Sequence, residues 1–482
     1  MKSSAIWEAS WALLSIILTY LLASGAKRTI ATGVLLLLIP FQFVDTRYAT
    51  SSVLMAYALG AILLLKGDLK FRLMPELACI VFAYAASTAL AGRQMLTWQV
   101  VYVFQFVSCL VVFLLAYDYA RLVEHERSVA NLLLGMNVLI GAYCLLQIWA
   151  GPGAQFIPFG IEEFAFNSNR DVSDPRLVGP FGTPGNTAGY LTLMTFLCTA
   201  ELIPASGRRR LFLQGLIVVN LLGLVATGNR AGMLVLIAMF PLMLIAFRRE
   251  LGARRVVLYT VGGIVVLAIA SVVAINYTRF GSMLERLQSV TETSNGVPQT
   301  RAQTWPIAME KIRRSPWFGE GPYFMTQEEA ENMGMMRNEL DESGQTDTRY
   351  DPYPHSLYLY LLRTVGIVGL TAVMLFFVRA WLSLRRSAAR QTANGTASPL
   401  VRAGMIVIPA FLIAQITLEF NRAVSMDYAQ FIFALVGLLV GLGDRLSVSS
   451  RASAASPQRS ALGNAFRDEE SAAALPRQTR GG

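Results

Sequence analysis

The feature that most constrains this chain is a succession of apolar runs. A helix needs about 20 apolar residues to cross the hydrocarbon core of a bilayer, and runs approaching that length recur along most of the sequence. They fall near 8–25, 29–44, 49–66, 74–91, 98–117, 129–150, 185–204, 210–226, 231–247, 256–275, 357–380, 403–419 and 424–442. Several are short, so the pattern predicts an all-α polytopic integral membrane protein with twelve or thirteen transmembrane helices. Composition agrees, with 54% of residues hydrophobic and 15% charged, against about 25% charged in soluble domains. One water-soluble core would not hide that much apolar surface, and disordered, collagen-like or coiled-coil chains are polar or strictly periodic. Cys79, Cys109, Cys144 and Cys198 each lie inside an apolar run and read as lipid- or helix-facing residues rather than a disulfide or redox pair. No small-x-small site follows the first run before the next begins, which argues against a cleavable leader.

Orientation follows from Lys and Arg in the short loops. Arg208–Arg210, then Arg248, Arg249, Arg254 and Arg255, then Arg379, Arg385, Arg386 and Arg390 recur every second connection, and Lys66, Lys70, Arg72, Arg121 and Arg127 continue the parity backwards. These loops are expected to be cytoplasmic. They carry much of the net charge of +10, which therefore reads as a topology signal and not as a nucleic-acid surface. Thirteen spans would put the N-terminus outside, and twelve would put it inside. Two long polar stretches fall on the outer face, at 151–184 and 276–356, the second between the tenth and eleventh candidate spans. The expected organisation is N-terminal transmembrane helices over 1–150, a core over 151–445 holding both outer loops, and a disordered cytoplasmic tail over 446–482, rich in Ser, Ala and Arg.

The chain has no P-loop, HExxH or CxxC, and its histidines are His125 and His355. No metal site is expected from so few His and Cys ligands, and no cofactor is called for. The acidic run Glu328–Asp351 reads as a solvated face. His125 lies among charges in a cytoplasmic loop. His355 ends the outer loop in Asp351-Pro352-Tyr353-Pro354-His355-Ser356, where two prolines stiffen the entry to the next span. There it is either a helix flank that happens to be histidine or a general base, since imidazole titrates near neutral pH. Arg230, in Thr227-Gly228-Asn229-Arg230-Ala231-Gly232, sits in a short outer turn against the inside-positive bias. It is either a snorkelling arginine or an anion contact near a helix N-terminus. Arg301 opens Thr300-Arg301-Ala302-Gln303-Thr304-Trp305 in the long outer loop, ahead of a helix-like stretch 305–312 and the segment Pro316-Trp317-Phe318-Gly319-Glu320-Gly321. Arg170 and Arg176 precede the Gly/Pro-rich turn 179–190, which enters a span with Asn186 or Thr187 placed to cap it.

Taken in order, the turn G-x-x-G-T-P-G-N, the turn T-G-N-R-A-G, R-x-x-x-W with P-W-F-G-E-G, and P-H-S resemble the bacterial O-antigen ligase/polymerase family of membrane glycosyltransferases, of the GT-C type. The resemblance is close over roughly 170–380. It implies that a glycan passes from undecaprenyl diphosphate to an acceptor sugar, on lipid A-core for a ligase or on a second lipid-linked repeat unit for a polymerase. It implies a multi-pass protein of the bacterial inner membrane, a site facing the periplasm, and an inverting, metal-independent reaction. By the same resemblance His355 is the general base, and Arg230 and Arg301 hold the diphosphate. Arg176 is a further candidate for that role. Asn229 departs from the serine common at that place in the family. The alternative is a transporter or flippase of lipid-linked saccharides, which would carry ionisable residues along its spans at mid-depth. Glu76, Arg363 and Glu419 are the few such residues here.

Overall fold

In hydrocarbon an unpaired backbone amide or carbonyl is expensive, so a chain this apolar must pair its backbone within each segment. In the computed structural model, which describes residues 28–41, 50–67, 69–91, 96–150, 176–254, 256–263, 265, 301–321, 354, 356–393, 398–416 and 426–448, every element is a helix. In chain order these are α1 (Arg28–Leu38), α2 (Ser51–Leu65), α3 (Met74–Leu90), α4 (Leu96–Leu122), α5 (Glu126–Ala150), α6 (Pro184–Leu202), α7 (Gly207–Ala226), α8 (Arg230–Ala246), the one-turn α9 (Arg248–Leu251), α10 (Arg301–Arg314), α11 (Leu357–Ala393), α12 (Pro399–Ala414) and α13 (Met426–Val448). By length and composition α4, α5, α7, α11 and α13 suffice to cross a membrane, and α1, α2, α3, α8 and α12 are shorter apolar helices. The protein is a multi-pass membrane protein.

The helices coincide with the apolar runs wherever both are described. The first run, 8–25, lies outside the described residues. Of the two outer stretches only 176–184, 301–321, 354 and 356 are described. Several ends differ from expectation, among them those of α1, which stops at Leu38, and α4, which continues to Leu122. Helix α11 continues to Ala393, because the Arg-rich segment after the apolar run keeps good helix formers. Helix α13 reaches Val448, past the expected end of its apolar run at 442, and 449–482 lie outside the described residues.

Capping places several helix starts. Ser398 accepts from Val401 N–H with Pro399 following it, and Asn229 accepts from Gly232 N–H. At α6 the cap is Thr183, whose side chain accepts from Asn186 N–H at 3.2 Å. This corrects the assignment of the cap to Asn186 or Thr187. Proline is favoured at the first helical position, where its missing N–H costs nothing; Pro184 takes that position and moves the cap back to Thr183. Thr187 instead donates to Val178 O.

Helix α6 is buried along nearly its whole length, as expected of a helix apolar on all sides; it packs against α7, α8 and α12. Helix α13 is equally buried and lies so close to α4 that a methyl at Gly437 or Gly441 would strike the backbone at Phe113 or Tyr117. Small residues permit such approach inside membranes. Helix α11 packs against α3, α10 and α12. The bundle thus has a basic end, carrying the connections α4–α5, α6–α7 and α8–α9, and an opposite turn end, carrying α7–α8 and the entries to α6, α11 and α13.

Candidate functional site at the turn end

Two of the motif segments meet at the entry to α6. Leu177 N–H donates to Ala226 O at 2.9 Å, which lays the strand-like stretch after Arg176 along the α7–α8 turn. Gln147 of α5 accepts from Gly179 N–H at 2.9 Å and Val178 N–H at 3.3 Å. Within the α7–α8 turn, Thr227 donates to Leu224 O at 2.6 Å and accepts from Asn229 N–H at 3.2 Å. Asn229 in turn caps α8 through Gly232 N–H at 3.0 Å. The asparagine in place of serine therefore keeps the local hydrogen bonding, since both side chains are strong N-caps. Arg230 is the first residue of α8 and is exposed; Arg176 is half-buried beside the same turn. Thr192 of α6 reaches Gly232 O at 3.3 Å and ties the turn to the central helix.

The other two segments meet at α11. This helix is broken: Gly366 has φ 65 and ψ −167. In a continuous helix Ile367 N–H would donate to Arg363 O and Val368 N–H to Thr364 O. Here the segment after α10 supplies partners for these four groups. Ile367 N–H donates to Pro316 O at 2.8 Å and Val368 N–H to Trp317 O at 3.1 Å; Arg363 O accepts from Glu320 N–H at 2.9 Å and Thr364 O from Gly321 N–H at 3.0 Å. Ser87 of α3 also donates to Thr364 O. The approach is so close that a methyl at Gly319 or Gly366 would collide with the opposite backbone, so the P-W-F-G-E-G sequence is what allows the clip. Gly366 lies nine residues past the start of α11, roughly 13 Å along the axis. Irregular backbone at such depth survives only where protein satisfies it.

The clip anchors α10, and Lys311 of α10 pairs with Glu320 at 3.6 Å. Helix α10 begins at Arg301, earlier than the expected stretch. One turn along it, Trp305 donates its indole N–H to Pro354 O at 2.8 Å. Arg301 thus starts a helix that is hydrogen-bonded to the residue before His355. The side chain of Arg301 and the whole of His355 lie outside the described residues, as does the acidic run Glu328–Asp351. On the far side of that position Ser356 is buried, Leu357 N–H donates to Gln415 O at 3.0 Å, and Tyr358 donates to Leu412 O at 2.7 Å. Helix α12, bonded in this way to α11, packs also against α6 and α8. It thereby links the start of α11 to the helices α6 and α8.

Two polar residues here carried no weight in the sequence. Arg363 was visible only as a charge in an apolar run; it is fully buried, with its guanidinium 5.3 Å from the Tyr360 ring centroid. Gln415 interrupts Ile413-Ala414-Gln415-Ile416, and its buried carboxamide makes no hydrogen bond. His125 is exposed in its loop, as expected. Among the described residues no group of three His, Cys, Asp or Glu side chains is placed to hold a metal ion.

The residues 215–374 match the family model described as O-antigen ligase, in agreement with the resemblance drawn from the motifs. The matched region runs from α7 into α11 and includes Arg230, Arg301 and His355; Arg176 precedes it. No curated protein matches the chain.

Proposed function

We propose that this chain, which carries an O-antigen ligase segment and with it a ligase/polymerase-type role in polysaccharide biosynthesis, transfers a glycan from undecaprenyl diphosphate to an acceptor sugar at the periplasmic face of the bacterial inner membrane. The observation that carries the reading is the meeting of the family's motif segments at one end of the bundle: Leu177 on Ala226 and Trp305 on Pro354. In this reading His355 takes the proton of the acceptor hydroxyl. The resulting oxygen attacks the anomeric carbon from the face opposite the diphosphate, the carbon–oxygen bond to the diphosphate breaks, and undecaprenyl diphosphate leaves with inversion. The diphosphate is already a good leaving group, so no strong acid is required. Arg230 and Arg301, with Arg176 as a further contributor, grip its oxygens through forked charge-assisted hydrogen bonds and stabilise charge as the bond breaks. Arginines supply that charge without a metal.

A transporter or flippase would need ionisable groups along the crossing. Of the buried ionisable residues described, Glu76, Asp118 and Glu201 belong to the basic end and Lys311 and Asp427 to the turn end, and Arg363, about 9 Å into α11, is the one set deeper. That distribution favours the transferase. The test is reconstitution with a lipid-linked glycan and two acceptors offered separately, lipid A-core and a second lipid-linked repeat unit. Transfer to the first makes the protein a ligase and to the second a polymerase. Movement of the donor across the bilayer without transfer to either would replace the reading with the flippase.

A further inference from the structure

We infer that Trp305 is a positioning residue for the transfer, acting through the backbone that carries the base. The inference rests on the reading of His355 as that base. Three attachments meet around the short entry to α11. Below it, the clip 316–321 replaces the broken helical hydrogen bonds of α11 and fixes α10 to the outer piece of that helix, 357–365. Beside it, Leu357 and Tyr358 are bonded to α12. Above it, the contact from α10 is the Trp305 indole N–H on Pro354 O. The clip sets where α10 lies, and the indole sets where the residue before His355 lies relative to α10.

An exposed tryptophan is an odd choice for packing alone. Trp305 is 42% exposed, on a strongly charged amphipathic helix, so packing accounts for only part of its ring. Its one polar atom is spent on a carbonyl 49 positions away in the sequence. Pro354 is buried, and its carbonyl accepts the indole N–H. Loss of the indole bond would let the backbone at Pro354 shift relative to α10 while leaving Arg230 and the start of α10 in place. A misplacement of about 1 Å can cost roughly 100-fold in rate.

The experiment compares Trp305→Phe, and a protein with benzothienylalanine at position 305, with wild type and His355→Gln. The assay uses the full-length reconstituted protein and a lipid-linked glycan donor. Benzothienylalanine keeps the shape of the ring and lacks the N–H, so it removes the hydrogen bond without opening a cavity. Both changes at 305 are expected to lower kcat about 10–100-fold with donor KM within about twofold and Tm unchanged. Trp305→Phe/His355→Gln should be no slower than His355→Gln alone, as for two residues that act through one step. Wild-type kcat with benzothienylalanine overturns the inference, as does a loss carried by KM or Tm, or a double variant in which the two losses multiply. Wild-type activity in His355→Gln marks instead the failure of the base assignment, and the inference falls with it.

Discussion

At the basic end of the bundle the helices are tied by charged side chains. Arg72 pairs with Asp444 at 3.3 Å, Arg209 with Glu201 at 2.7 Å, Arg402 with Glu250 at 2.7 Å, Arg379 with Glu76 at 3.5 Å and Arg28 with Asp118 at 3.7 Å. At the turn end the ties between elements end on backbone groups: Leu177 on Ala226, the four bonds of the clip and Leu357 on Gln415 join backbone to backbone, and Gln147, Ser87, Trp305 and Tyr358 reach backbone from side chains. There the ion pairs between described side chains are Lys311–Glu320 and Glu310–Arg314, both local to α10 and the clip. The difference is one of tolerance. An ion pair near water contributes about 0–1 kcal/mol and survives sloppy geometry. A backbone clip at van der Waals distance fixes positions and accepts few substitutions. The basic end therefore serves orientation and closure, and the turn end has the rigidity that a reaction centre needs.

The contrast is sharpened most at His355. If this residue takes the acceptor proton, His355→Gln should lower turnover about 10²–10⁴-fold in a protein that still inserts and folds. The wild-type rate should rise with pH through the imidazole range, ordinarily near ~6.5, because only the neutral ring accepts a proton. Kinetics on purified protein between acid and neutral pH check both. A folded glutamine variant at the wild-type rate with a flat profile would move the chemistry away from this residue.

Next in size are Arg230 and Arg301, proposed above to hold the diphosphate. Lysine keeps the charge and loses the fork, so Arg230→Lys and Arg301→Lys should each lose about 1.5–3 kcal/mol of charge-assisted hydrogen bonding, or roughly one to two powers of ten in rate. Arg176→Lys should lose less. Full activity of Arg301→Ala in the purified assay would remove that residue from the site and leave α10 with a purely structural part.

Arg72→Gln tests the basic end directly. It removes the pair with Asp444, yet Tyr117 still donates to that carboxylate at 3.0 Å, so no acid is left buried alone. The expected cost is at most about 1 kcal/mol of stability with kcat unchanged, as read by thermal melting beside the transfer assay. A fall in kcat with unaltered melting would show that the two ends are coupled and that the division drawn above is wrong.

How far the sequence showed this division in advance depends on the range of the forces involved. Apolar runs and Lys/Arg placement are local signals, and they located α2, α3, α6, α7 and α8 to within about three residues, while α1, α4, α11, α12 and α13 each differ by five or more at one end. The N-cap of α6 was one such local signal misread, because Pro184 at the first helical position shifts the cap to Thr183. The clip was not legible at all. Thr364-Val365-Gly366-Ile367-Val368-Gly369 is an unremarkable apolar stretch, and only the arrival of 316–321 from far along the chain makes a positive φ at Gly366 affordable. The same holds for Trp305, quoted for its place in a motif while its partner Pro354 lies 49 residues on. Arg230 was legible as a cation against the inside-positive bias and Arg301 as the start of a motif, but the burial of Gln415 and Arg363 emerges only from the packing.

The smallest expected effect is that of a chelator, and it bears on why the two ends use their charges differently. A divalent ion in a transferase site needs several converging oxygen ligands. Among the described residues, Glu76, Asp118, Glu201, Glu250 and Asp444 of the basic end face arginines, Glu126 there accepts from Ser398, Glu310 and Glu320 face Arg314 and Lys311, and Asp427 accepts from Tyr428 N–H at the start of α13. If the arginines of the turn end carry the diphosphate, transfer in EDTA should match transfer in buffer, measured with the donor at and below its KM so that weakened binding would register. The acidic run Glu328–Asp351 is the segment from which a rival account would come. Turnover lost in EDTA and restored by magnesium or manganese would assign it a metal, and the diphosphate charge would then be shared between the ion and the arginines. In that case Arg230→Lys and Arg301→Lys should become less damaging as the metal concentration rises, a dependence that the arginine-only site does not allow.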